Sequence, residues 1–163
     1  MTRRFRLAAA VVAAAIVLPA AAAAQPGAPD TVGVAAAVRA ADSLFALDAA
    51  AQGLEGWMRW MAVDVLRPEF DGPATQGKAA VRARDSVTVF GNPAHRLAWQ
   101  PTGSGAFVDG RHGWTRGAWQ VLDRAGARLA TGTYVTIWRR DREGWRVVMD
   151  TGVSDPPAPA TPR

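Results

Sequence analysis

The sequence predicts an α+β fold in which N-terminal helices pack on a strongly curved antiparallel sheet. Apolar residues recur every three or four positions through the first half of the chain, period-two alternation takes over in the second half, and turn residues punctuate the alternating segments. The most informative piece is the closing hairpin. Its arms, Gly132–Arg140 and Gly144–Gly152, are rich in β-branched and aromatic residues and flank the polar connection Asp141-Arg142-Glu143-Gly144.

The chain opens with Arg3, Arg4 and Arg6, an apolar stretch from Leu7 to Leu18, and small residues ending in Ala22-Ala23-Ala24. This pattern predicts a secretory signal peptide over residues 1–24, because the apolar stretch is shorter than the roughly 20 residues a membrane span wants. Export to the periplasm or beyond, with no stable membrane anchor, is the expectation. The chain has no cysteine, which excludes a lipid-modified N-terminus and a disulfide-stapled domain. The formal charge of +5 counts the three leader arginines; without them 16 basic residues face 14 acidic ones, too even a balance to favour nucleic-acid binding. Residues 25–32 read as a linker, 33–153 as one folded domain, and 154–163, rich in Pro and Ala, as a disordered tail.

Within the domain, Val34, Val38, Ala41, Leu44, Phe45 and Leu47 mark an amphipathic helix over about 32–51, with Arg39, Asp42 and Asp48 off its apolar stripe. Gln52-Gly53 breaks it. Leu54–Met61 predicts a second short helix with Trp57, Trp60 and Met61 on one side, and Ala62–Leu66 a strand that ends before the prolines of 68–73. Ala80, Val81, Arg84 and Val87 predict a third helix, closed by Gly91-Asn92-Pro93. Strands follow at Arg96–Trp99, Gly105–Val108, Gly113–Leu122, Leu129–Arg140 and Trp145–Thr151, with turns expected at Pro101, Asp109-Gly110, Ala125-Gly126 and Glu143-Gly144. Gly103-Ser104-Gly105 reads as a turn.

That order, with Trp60-Met61-Ala62-Val63-Asp64-Val65, Gly77-Lys78-Ala79-Ala80-Val81-Arg82, Leu97-Ala98-Trp99-Gln100-Pro101 and Gly144-Trp145-Arg146-Val147-Val148-Met149-Asp150, resembles the SnoaL-like group of the nuclear transport factor 2-like superfamily, in particular exported bacterial members of unknown function. The resemblance implies a cystatin-like α+β cone with a pocket between helices and sheet, and often a homodimer. Some members of that superfamily are isomerases, cyclases or dehydratases, and others only bind or scaffold. In the ketosteroid-isomerase branch the proton-abstracting carboxylate sits immediately before the proline that ends the first strand. Here Arg67 precedes Pro68, and a guanidinium that stays protonated cannot be that base. The tyrosine expected on the first helix falls near Ser43.

Seven tryptophans are heavy for one small domain. Core and subunit interface can absorb them. Alternatively Trp57, Trp60, Trp99, Trp114 and Trp119, drawn from several elements, line a ligand pocket. On the last hairpin, Tyr134, Thr136 and Trp138 share one face and Val135 and Ile137 the other, so one face meets the helices and the other a second subunit. Asp64 interrupts an apolar strand and Asp150 ends one; a pocket carboxylate at either place, with Tyr134 or an indole as donor, is the candidate catalytic set, Asp64 being preferred. Each can instead form a structural ion pair with Arg146 or Arg67. His95 and His112 are the only histidines, so no metal set and no cofactor is expected. The first reading is an exported domain that binds a small, largely apolar molecule. The alternatives are a lyase- or isomerase-type enzyme using a pocket carboxylate as general base, and a non-catalytic dimeric interaction module whose tryptophans fill the core.

Overall fold

The computed structural model describes residues 30–69 and 72–156. The expected signal peptide, residues 25–29 of the linker and the tail beyond 156 lie outside the described residues. Thr31 and Val32, expected in the linker, already belong to α1 (Thr31–Gln52). Asp30 caps that helix by accepting a hydrogen bond from the Gly33 amide at 2.8 Å. Gly53 ends it at φ 58°, and its N–H closes on the Ala49 carbonyl. Helix α2 (Leu54–Trp60) starts from that glycine and doubles back against α1.

Strand β1 (Met61–Arg67) leads through β2 (Thr75–Gln76) into α3 (Lys78–Thr88). Four strands complete the chain: β3 (Arg96–Ala106), β4 (His112–Leu122), β5 (Arg128–Asp141) and β6 (Gly144–Ser154). The sheet is ordered β2-β1-β6-β5-β4-β3. It is mixed rather than wholly antiparallel: β1 runs parallel to β6, and the other pairs are antiparallel. A parallel pair needs a long crossover, which α3 and the β3–β5 meander supply. The sheet is also open, with β2 and β3 at its edges.

Two local expectations change. Residues 96–106 form one strand instead of two separated by a turn at Pro101, and Gly103-Ser104-Gly105 lies within it. An edge strand tolerates a missing N–H, and the register slips between Pro101 and Gly103 to accommodate the ring. On α3 the inward positions are Val81 and Asp85, whereas Val87 is 72% exposed. The stripe drawn through Ala80, Val81, Arg84 and Val87 missed a buried carboxylate.

The core forms where α1 and α2 meet the inner sheet face: Val38, Phe45, Trp57, Met61, Val65 and Trp138 are all essentially buried. Phe45 is its hub, with ring centroids of Trp57 at 4.7 Å, Trp99 at 4.8 Å, Trp138 at 6.0 Å and Trp60 at 6.1 Å. As alternation predicts, Tyr134, Thr136 and Trp138 point into this core. The large rings on this face stand opposite glycine across the ladder: Tyr134 opposite Gly117, Trp138 opposite Gly113, and Trp119 opposite Gly132. A Cβ at Gly132 would lie 2.5 Å from the Trp119 ring, so the missing side chains are the space the rings occupy.

At Gly117 an added Cβ would sit 2.1 Å from the Gln100 carbonyl oxygen and 2.8 Å from Tyr134 Cε1. Gly117→Ala is therefore expected to destabilise the domain by about 1–3 kcal/mol in equilibrium urea unfolding. An unchanged midpoint would show that Tyr134 does not rest on this strand.

Candidate functional site

A cavity of about 360 Å³ opens between the helices and the inner sheet face. Its aromatic wall comes from five elements: Phe45 on α1, Trp57 on α2, Trp99 on β3, Trp119 on β4 and Tyr134 on β5. Arg67, Thr136 and Asp150 form a polar patch in the same wall, with Arg84 and Thr88 of α3 and exposed His95 also bordering the space.

The aromatic polar atoms are engaged elsewhere. Trp57 Nε1 donates to Asp85 Oδ2 at 2.9 Å, and Trp99 Nε1 donates to Asp42 Oδ1 at 2.8 Å. The Tyr134 hydroxyl donates to the other oxygen of Asp42 at 2.7 Å, and Trp119 Nε1 to the Thr133 carbonyl at 3.1 Å. Asp42 and Asp85 are fully buried, and burial without such donors would be strongly unfavourable. Burial pushes the Asp42 carboxyl above its ordinary value, while the bonds from Trp99 and Tyr134 pull the other way. Burial, and then the negative charge of Asp42, push the Tyr134 phenol up.

Arg67 ties the polar patch together. Its Nη1 lies 3.1 Å from Asp85 Oδ2 and 3.4 Å from Asp150 Oδ2, and its guanidinium carbon sits 5.4 Å from the Trp57 ring centroid. Arg84 Nη1 reaches the second oxygen of Asp85 at 2.8 Å and Arg84 Nη2 pairs with Glu69. Thr136 Oγ1 donates to Asp150 Oδ1 at 2.7 Å.

Of the residues singled out from sequence, Asp150, Tyr134, Trp57, Trp99 and Trp119 meet at the cavity. Asp64, Trp60 and Trp114 do not line it. Val65 is buried and Arg67 lines the cavity, whereas Asp64 sits beside exposed Val63 and faces away from it. There Arg139 donates to both its oxygens, at 2.8 and 3.0 Å, and holds its carboxyl below the ordinary value, opposite to the rise a desolvated base needs. Trp60 packs behind Phe45 and Trp138 and donates to Asp48 at 2.8 Å. Trp114 pairs across the ladder with Ile137 on the outer face. The expected donor role of Tyr134 meets an obstacle, since its proton is directed to Asp42. Asp150 takes the ion-pair option, with Arg67.

Asp42 and Asp85 escaped the sequence reading. Asp42 follows Val38 by four residues and precedes Phe45 by three, which is on the stripe; its charge argued it off. The signal that finds it is the excess of indoles, each of which needs an acceptor when buried. Among the described residues no group of three or more His, Asp or Glu side chains is arranged for a metal.

Asp42→Ala leaves two buried donors without an acceptor and is expected to lower stability by about 2 kcal/mol or more. Asp42→Asn retains an acceptor and the shape but removes the charge. Because the Asp42 carboxyl is raised in the folded state, its protonated form favours folding, and that contribution fades as pH climbs from 3.8 through the folded value. Urea midpoints taken from about pH 4 to about pH 7 should therefore show wild type losing ground to Asp42→Asn as pH rises. Parallel curves would show that Asp42 is not a buried ionisable group.

No protein-family model and no curated protein matches the chain. Solved structures do. A Nostoc punctiforme protein of unknown function with a cystatin-like fold superposes with a TM-score of 0.61 at 14% identity, covering 76% of this chain and 92% of that one. A ketosteroid isomerase-like protein from Erwinia carotovora gives 0.60 at 14% identity over 76% and 97% of the two chains. An NTF2-like protein with a cystatin-like fold from Novosphingobium aromaticivorans gives 0.58 at 16% identity over 74% and 81%. Three helices on an open mixed sheet, matched over most of these structures, establish that the chain has the cystatin-like fold of NTF2-like proteins.

Proposed function

We propose that this domain binds a small, largely apolar molecule in the aromatic-lined cavity. The observation that carries this reading is that the tryptophans wall the space without filling it. About 360 Å³ stays open beside Trp57, Trp99 and Trp119, within the roughly 300–1,000 Å³ typical of ligand sites. That opening counts against a core filled by its own tryptophans. The leader-like N-terminus supports export. The outer sheet face, where Leu129, Val135 and Val153 are exposed, is the surface we assign to self-association.

A general-base reading has one observation in its favour, the Asp150 carboxylate in the cavity wall. Both its oxygens already face partners, Thr136 and Arg67, and Tyr134 is committed to Asp42. Binding without catalysis fits this arrangement better.

Titration with the neutral fluorophore N-phenyl-1-naphthylamine tests the reading. One saturable site per chain is expected, with energy transfer from tryptophan. Val121→Trp, which puts a ring into the half-buried rim of the cavity, should weaken binding at least about tenfold while leaving the far-ultraviolet circular dichroism unchanged. Non-saturable uptake, or affinity indifferent to Val121→Trp, would place binding elsewhere.

A further inference from the structure

The ligand class can be narrowed further, given the binding reading above. Trp57, Trp99, Trp119 and Tyr134 all spend their N–H or O–H on Asp85, Asp42 and the Thr133 carbonyl. What they offer the cavity is ring surface, which favours a flat molecule. Directional contact with that molecule falls to the polar patch. Among the described residues every hydrogen bond and ion pair of Arg67 leaves from Nη1, so Nε and Nη2 carry none. No buried side-chain nitrogen or oxygen among the described residues lacks a partner. The idle N–H groups of Arg67, whose side chain is 12% exposed, therefore sit at the cavity surface.

Charge decides what they are suited to hold. Arg67 and Arg84 are set against Asp85, Asp150 and Glu69, so negative charge already exceeds positive by one around this patch. A carboxylate ligand would bring a second excess charge next to Asp150, whereas a carbonyl oxygen accepts from Arg67 and brings none. A pure hydrocarbon would strip water from those N–H groups and return nothing. We propose that the cavity selects a neutral, planar molecule that places a carbonyl-type oxygen on Arg67, over a matched hydrocarbon and a matched carboxylate.

Three probes of similar size separate the possibilities by isothermal titration: 2-acetylnaphthalene, 2-ethylnaphthalene and 2-naphthoate. The ketone is expected to bind about tenfold or more tighter than either of the others. Arg67→Lys keeps the positive charge and loses the planar fork, so it should bring the ketone down to the hydrocarbon while leaving hydrocarbon affinity unchanged. Equal affinity for ketone and hydrocarbon in wild type would overturn the proposal and leave the binding reading standing. Tightest binding of naphthoate would overturn it in favour of an anion site, and an undiminished ketone preference in Arg67→Lys would remove Arg67 from it. Failure of all three probes to bind would bring down the binding reading itself. If Arg67→Lys does not fold, the wild-type ranking still decides.

Discussion

A carboxylate can be buried in an apolar domain only where donors surround it, and a buried indole or phenol needs an acceptor; this fold meets both demands with the same contacts. Asp42 on α1 takes the Trp99 indole and the Tyr134 hydroxyl from two different strands, so one side chain fixes the helix against the sheet. Asp85 on α3 does the same for Trp57 of α2 and Arg67 of β1. Each bond taken singly contributes only about 1 kcal/mol net, yet loss of one partner strands the other in a low dielectric. The geometry of the cavity wall follows from this constraint. Held from behind by their polar atoms, the rings cannot fold into the space they enclose.

The sheet makes room for the same rings from its own side. Glycine stands opposite Tyr134, Trp138 and Trp119, and a methyl at Gly132 would overlap the Trp119 ring. Register shifts between Pro101 and Gly103, between Val121 and Leu122, and between Ile137 and Trp138 add local bends along the strands. Backbone and side chains thus agree on where the aromatic surface lies. The polar patch of Arg67, Thr136 and Asp150 breaks that surface at one place and gives it a direction.

Most of the fold was legible in the sequence because hydrophobic period reports which face is buried. The places of α1 and α2, though not their exact ends, the closing hairpin and the inward set Tyr134, Thr136 and Trp138 follow from spacing and from the break at Gly53; Met61, read as the end of α2, instead opens β1. The parallel β1–β6 pair was not legible, since alternation within a strand says nothing about its neighbour's direction. The site was read in part. Tryptophans that line the cavity, such as Trp57 and Trp99, were found by chemistry, but Trp114 faces the other side of the sheet. Asp64 interrupts an apolar run in the sequence, but in the fold it lies exposed against Arg139, and it is Arg67 that lines the cavity. Asp42 and Asp85 were hidden by the ordinary rule that charge lies outside. The rule fails here because each carboxylate has an indole partner distant in sequence, Trp99 for Asp42 and Trp57 for Asp85, beside further donors.

The most direct measurement is hydrogen exchange of the tryptophan indole N–H groups, followed by nuclear magnetic resonance in the ligand-free protein. If buried carboxylates hold the cavity wall, the indoles of Trp57 and Trp99, bonded to Asp85 and Asp42, exchange slowly, and remain slow when a probe occupies the cavity. Trp114, on the outer sheet face, supplies the reference for faster exchange. Fast exchange at Trp57 and Trp99, or protection gained only when a probe binds, would contradict a wall fixed in advance by Asp42 and Asp85.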